Sequence, residues 1–268
     1  MSSIRPAAVA GTFYPGDPAD LAADVAGYLA DVPAFDAGPA PKALIAPHAG
    51  YLYSGAIAAR AYSRVAPLRG VVRRVVLAGP AHRVYVRGIA VPGVEAFESP
   101  LGRVPVDAGA IATLRTLPFV EVSPRAHAFE HSLEVHLPFL QSVLDDFSIV
   151  PLVVGDATRD EMARVLDVLW GGEETLVVVS SDLSHYHPYD EARAIDRHTT
   201  NRILRLDAGL EPEEACGAAP INGLLEVARR RGLFARLVDL RNSGDTAGGR
   251  DRVVGYAAFA FHEAVHGS

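Results

Sequence analysis

Short runs of apolar, mostly β-branched residues alternate along the chain with longer segments in which apolar residues recur at helical spacing. Several runs are apolar at every position, as expected for strands of a parallel sheet that helices cover on both faces. The runs predict strands at residues 43–46, 71–78, 88–91, 149–154, 175–179, 235–240 and 253–261. The segments between them predict helices at residues 55–65, 108–114, 132–144, 159–169, 190–206 and 222–231, after an N-terminal helix capped by Asp17. The alternation predicts a three-layer α/β/α fold with a largely parallel central sheet, in a single domain over residues 1–268.

The composition narrows the function classes. A hydrophobic content of 49% and a charged content of 21% exclude a disordered chain. A net charge of −7 argues against a nucleic-acid surface, and no apolar run approaches the roughly 18 residues of a membrane span. The single cysteine, Cys216, excludes an internal disulfide, and we expect it to be inert because no base lies beside it in the sequence. With no signal-peptide pattern at the start, the expected location is the cytoplasm.

Polar residues follow four of the predicted strands at the point where each strand ends. They are His48 in APHAGY, His82 in GPAHRVY, Asp182 and His185 in SSDLSH, and the segment NSGD at 242–245. Because the carboxyl ends of parallel strands share one sheet edge, we expect these residues to converge there, with the strands before His48 and His82 adjacent. Any one of these histidines alone is more typical of an ordinary loop. Two histidines and an oxygen ligand would leave coordination positions open, as in catalytic Fe(II) and Zn(II) sites.

A denser histidine cluster occupies residues 127–136, HAFEHSLEVH. The segment does not contain the HExxH zinc motif, and His131 and His136 are five residues apart, so they do not share a helical face closely. We interpret it as the start of the helix at 132–144, facing the same crevice, with His131 and Glu134 supporting the site from behind the ligands. The alternative is an ordinary helix start with favourable acidic residues. The chain has no phosphate-binding glycine motif and no G-x-S-x-G nucleophile elbow.

The C-terminal segment HEAVHGS is polar and follows the last predicted strand. We expect its histidines, His262 and His266, to lie in a tail away from the pocket, since order is least expected at chain ends. His185, in contrast, should titrate with ligand binding.

Together, the segments RPAAVAGTFYPGD, APHAGYLYSG, LAGPAHRVY, EHSLEVHLPFL, SSDLSHY and VVGYAAFAF resemble the Memo family, whose bacterial and archaeal members are called AmmeMemoRadiSam system protein B. The resemblance covers residues 5–261. It implies a fold similar to the class III extradiol dioxygenases of the LigB type, with a metal pocket at the sheet edge. It also implies that His48 and His82 are metal ligands, and that His185 acts as acid and base with Asp182 beside it.

The third ligand place departs from the family pattern. Animal members have a cysteine there and the dioxygenases a glutamate, whereas the segment RNSGD offers Ser243 as the nearest match. We therefore expect a weak site for a divalent metal, Fe(II) first and Cu or Zn as alternatives, filled substoichiometrically. The family name implies an AMMECR-type protein and a radical SAM enzyme as partners. Three functions stay open: a dioxygenase-like non-haem iron oxidoreductase, a ligand- or peptide-binding module without turnover, and a metallohydrolase.

Overall fold

A nine-stranded, mixed sheet forms the centre of the molecule in the computed structural model, which describes residues 3–34 and 38–263. Eight of its strands pair in the order β10-β12-β2-β9-β3-β8-β4-β7, the ninth, β11, pairs with β12 in antiparallel fashion, and β1, β5 and β6 form a small second sheet. The strands are β1 (Ile4–Arg5), β2 (Ala43–Ala46), β3 (Arg74–Pro80), β4 (Ile89–Val91), β5 (Ala96–Ser99), β6 (Gly102–Pro105), β7 (Val120–Val122), β8 (Ser148–Val154), β9 (Thr175–Ser180), β10 (His185–His187), β11 (Leu233–Asn242) and β12 (Val253–Glu263). The four central strands, β2, β9, β3 and β8, are all parallel.

Helices cover both faces of this sheet. They are α1 (Pro18–Ala30), α2 (Tyr51–Tyr62), α3 (Ala108–Leu114), α4 (Pro124–Ala128), α5 (His131–Glu134), α6 (Leu137–Val143), α7 (Arg159–Leu169), α8 (Tyr189–Leu204) and α9 (Ala218–Arg231), with 3₁₀ turns at Ala66–Leu68 and Ser243–Asp245. Helices α1, α2 and α6 bury one face and α3, α7 and α9 the other. The predicted three-layer fold with a largely parallel sheet is confirmed.

Side-chain alternation within the strands produces the two cores. Leu44 of β2 and Leu77 of β3 contribute to the core under α1 and α2, whereas their neighbours Ile45 and Ala78 contribute to the core under α7 and α9. Successive side chains of a strand point to opposite faces, so a strand between two helical layers must be apolar throughout. This explains the uninterrupted apolar runs in the sequence.

The structure corrects three expectations about the elements. The strands before His48 and His82 are not adjacent, because β9 hydrogen-bonds to both β2 and β3 and lies between them. The helix predicted at 132–144 is broken into α5 and α6, since Pro138 in the first turn of α6 cannot donate a backbone hydrogen bond to the preceding turn.

The expectation that His262 lies in a polar tail is also wrong. It lies in β12, pairs with Phe234 of β11 and is buried. His266 lies outside the described residues. The assignment of residues 1–268 to one domain likewise stays a prediction. In the described part of the chain, no helix combines the length and the apolar character that crossing a bilayer requires.

Candidate metal centre

Three histidine rings meet at the carboxyl edge of the central strands. His48 follows β2, His82 follows β3, and His131 begins α5. Their ring centroids are 5.0 Å (His48–His82), 5.5 Å (His48–His131) and 4.6 Å (His82–His131) apart. One potential ligand atom from each lies within 4.8 Å of the other two. Such a group can bind one metal ion.

Close packing of α5 against β3 brings His131 to this edge. A Cβ atom on Gly79, near the end of β3, would lie 2.9 Å from Ser132 Oγ and 2.9 Å from Leu133 Cδ2. Only a residue without a side chain allows this approach. His131, which the sequence analysis placed behind the ligands, therefore lies beside them and offers a third nitrogen.

The hydrogen bonds of His48 fix which of its nitrogens faces the pocket. The Ser180 hydroxyl donates its only proton to the carbonyl of Ser132, at 2.6 Å. It must then accept from His48, whose Nδ1 lies 2.6 Å away. Nδ1 thus carries the proton and Nε2 keeps the lone pair, which is the tautomer that a metal binds.

A buried carboxylate orients His82 in the same way. His82 Nδ1 donates to Glu130 Oε1 at 2.9 Å, and the His82 backbone N–H donates to Oε2 at 2.6 Å. Burial alone would raise the pKa of Glu130, but the hydrogen bonds from His82 outweigh it and lower this pKa to about 2. The ionised carboxylate leaves Nε2 of His82 free, in the carboxylate–histidine arrangement found behind many metal ligands.

Burial keeps the rings of His48 and His131 neutral. It lowers the pKa of His48 well below its usual range and that of His131 to about 4. Nδ1 of His131 is buried, has no hydrogen-bond partner among the described residues, and lies 3.3 Å from Glu130 Oε1 without hydrogen-bond geometry. Neutral imidazoles with free lone pairs are the form that binds a metal, so these residues fit a divalent transition metal.

The chain's single cysteine lies at the same site. Cys216 Sγ is 3.4 Å from His48 Nε2 and accepts from the Asp182 N–H at 3.3 Å. Burial, and then the negative charge of Asp182, raise the pKa of Cys216 to about 12, so the group is a thiol. The expectation that no base lies beside Cys216 is wrong, because the adjacent Gly217 lets the start of α9 pack against the end of β9.

Asp182 contacts His48 rather than His185. Its Oδ1 accepts from the His48 backbone N–H at 2.8 Å, and its Oδ2 lies 3.9 Å from His48 Nε2. Burial raises the pKa of Asp182 to about 7. His185 begins β10, pairs with Val254 and hydrogen-bonds to the Leu183 backbone. The structure therefore does not bring Asp182 and His185 together as the expected acid–base pair.

Two further predicted residues lie outside the histidine group. The Ser243 hydroxyl accepts from the backbone N–H of Val254 at 3.1 Å. Glu134 is fully buried and accepts hydrogen bonds from the N-terminal segment, including Tyr14 Oη at 2.5 Å. Ser243 was expected at the place of the third ligand. In the structure, the third nitrogen beside His48 and His82 comes from His131, and the Cys216 thiol lies beside His48.

Sequence reasoning missed the site roles of Glu130, Ser180 and Cys216. Glu130 lies inside the 127–136 cluster, whose density was a usable signal. Ser180 is the last residue of β9, directly before the SDLSH segment. Its contact with His48 depends on β9 lying beside β2, which the sequence does not state. Cys216 is separated from His48 by 168 residues and had no local signal.

Comparisons with known proteins place the chain among relatives over nearly its whole length. A family model described as Memo-like protein matches residues 5–260. A MEMO1 family protein of Aquifex aeolicus is 36% identical over 273 residues, covering 96% of this chain and 99% of the relative. One of Sulfolobus acidocaldarius is 33% identical over 282 residues, with coverages of 96% and 99%. The crystal structure of an uncharacterized protein of Escherichia coli K12 is similar in fold alone, with a TM-score of 0.56 and 17% identity, over 81% of this chain and 98% of that one.

Proposed function

Because the chain belongs to the Memo-like protein family, we propose that it is a metal-dependent oxidoreductase that holds one divalent metal on His48, His82 and His131. The observation that carries the proposal is the three imidazoles within 4.8 Å of one another, two of them held by a hydrogen bond at Nδ1. Among the described residues, Nε2 of His82 has no hydrogen-bond partner and Nε2 of His48 has only the Cys216 thiol, at 3.4 Å. Converging imidazoles whose second nitrogen is held by a hydrogen bond are typical of a ligand set.

Fe(II) is the metal we propose first. A bound Fe(II) ion would supply redox chemistry and coordination positions for a small substrate. The chain's own contribution is to orient His82 through Glu130 and His48 through Ser180 before any ion arrives. The ring of Phe13 packs against that of His131, with their centroids 4.7 Å apart.

Zinc hydrolysis is the second candidate, and the donor set itself favours it. Three imidazoles are also the ligands of catalytic zinc sites that activate water. Copper is a further alternative, since the Cys216 thiol beside His48 would offer a soft donor after losing its proton. The two proposals differ in the metal that should give activity: Fe(II) for the oxidoreductase and Zn(II) for the hydrolase.

Metal titration of the whole chain tests the proposal. Protein produced without a His tag and treated with chelator is titrated anaerobically with Fe(II), Zn(II) and Cu(I), and binding is followed by calorimetry. We expect one ion per chain and a strong loss of affinity in His131→Asn, whereas the control His198→Asn, an exposed histidine on α8, binds normally. Wild-type binding that His131→Asn leaves unchanged would contradict the proposed ligand set.

The partners implied by the family name stay a proposal as well. We propose that the protein acts with an AMMECR-type protein and a radical SAM enzyme in one modification system. Co-purification of the tagged partners with this chain tests this. A chain that purifies alone under anaerobic and aerobic conditions would contradict it.

A further inference from the structure

A recess of about 590 Å³ opens beside the histidine cluster. Its cationic residues are Arg83 and Arg125, and its apolar wall includes Val9, Val84 and Phe129. No acidic side chain is among the residues that line it in the described part of the chain. This volume lies in the range of sites for small organic molecules.

The recess adjoins the proposed metal ligands. A neighbouring cavity of about 360 Å³ is lined by His82, and the two cavities share Arg83 and Val84. Phe129, which also lines the larger recess, is two residues before His131 in the sequence. A molecule seated in the larger recess can therefore extend one end towards His82.

The two guanidinium groups in this recess are available to a ligand. Among the described residues, neither Arg83 nor Arg125 makes an ion pair or a side-chain hydrogen bond, whereas Arg5, Arg74 and Arg202 each hold a carboxylate. Guanidinium groups bind carboxylate and phosphate through paired N–H donors. In a chain of net charge −7, two arginines that have no partner among the described residues, in a recess that no described acidic side chain lines, form a local positive site.

The apolar wall sets the second half of the ligand's chemistry. The Phe129 side chain is 73% exposed although it is large and apolar, and Val9 and Val84 line the same recess. An exposed aromatic residue next to apolar side chains is typical of a surface that a ligand covers. The geometry points to a small organic anion as the ligand, with its charged group on Arg83 and Arg125 and its apolar body against Phe129.

This inference deepens the proposed function, on which it rests for treating the recess as the substrate side of the metal site. Its test needs no metal, so the two can fail separately. Chelator-treated protein is titrated by calorimetry or by ligand-observed NMR with 4-phenylbutyrate, with the uncharged 4-phenylbutan-1-ol, and with inorganic phosphate. We expect 4-phenylbutyrate to bind about tenfold or more tightly than either of the others, because only it satisfies both halves of the site.

Variants of exposed arginines complete the test without endangering the fold. Arg125→Gln and Arg83→Gln should each weaken 4-phenylbutyrate binding about tenfold and leave the weak binding of the alcohol unchanged. Arg87→Gln, at an exposed arginine close in sequence that does not line the recess, is the matched control and should bind normally. Equal binding of acid and alcohol, no binding of the acid, or no response to either recess variant would each overturn the inference.

Discussion

Replacing Glu134 with glutamine should destabilise the protein more than any change of equal size on its surface. The fully buried carboxylate pairs with Arg5, which is itself 4% exposed. It also accepts hydrogen bonds from the backbone N–H groups of Ala8 at 2.8 Å and Val9 at 3.0 Å, and from the Tyr14 hydroxyl at 2.5 Å. These bonds attach the N-terminal segment to α5. The site role expected for Glu134 is thus replaced by a structural one.

The magnitude follows from what the substitution leaves behind. A glutamine has one acceptor oxygen and an NH₂ group, which would face the donors that the carboxylate satisfied. The Arg5 guanidinium would keep its bonds to two backbone carbonyls but lose its countercharge in a buried place. Removing one partner of a buried ion pair costs about 3–5 kcal/mol. We expect Glu134→Gln to lower the free energy of unfolding by about that amount.

Urea denaturation of metal-free protein, followed by the fluorescence of the single tryptophan, measures this loss. The control is Glu226→Gln, which removes a partner of the exposed Arg229 and should cost at most about 1 kcal/mol. If Glu134→Gln unfolds within about 1 kcal/mol of the control, the reasoning about the buried pair is refuted.

Three further predictions concern the site and its surroundings. Glu130→Gln should lower metal affinity about 10- to 100-fold, measured by calorimetry, because it weakens the group that orients His82; an unchanged affinity would contradict that role. Burial raises the pKa of Asp196 to about 6, so its stabilising contribution is present at low pH and is lost as the pH rises through 6. Between pH 4 and pH 7, the free energy of unfolding of the wild type should therefore fall by about 3 kcal/mol relative to that of Asp196→Asn, measured by urea titration. Parallel pH profiles of the two proteins would refute this. Gly79→Ala should lower the free energy of unfolding by about 1–3 kcal/mol, because it forces Ser132 away, and should weaken metal binding. If both stability and metal affinity are unchanged, α5 has room to move and the packing argument is wrong.

The architecture could be predicted because its signal is repeated in every strand–helix unit. Uninterrupted apolar runs such as β9 indicate burial on both faces, and His48 and His82 directly follow such runs. Because strand ends share an edge, their approach followed from the fold class even though β9 lies between their strands.

The remaining parts of the site depend on contacts that no local pattern encodes. Cys216 reaches His48 only because α9 begins against the end of β9, which is a consequence of tertiary packing. Asp182 and His185 are close in sequence, but the pairing of β10 with β12 and the hydrogen bond from His48 to Asp182 give them different partners. Sequence proximity suggested a pair that the chain path does not make.

X-ray absorption spectroscopy of the metal-loaded protein tests the central claim most directly. With the ion that binds most tightly in anaerobic titration, the outer-shell scattering of imidazole rings counts the histidine ligands. The structure predicts three imidazoles, with nitrogen at about 2.0–2.1 Å if the ion is zinc, and two in His131→Asn. A first shell of oxygen with one imidazole or none, or a count that His131→Asn leaves unchanged, would contradict the assignment of His48, His82 and His131 as the metal site.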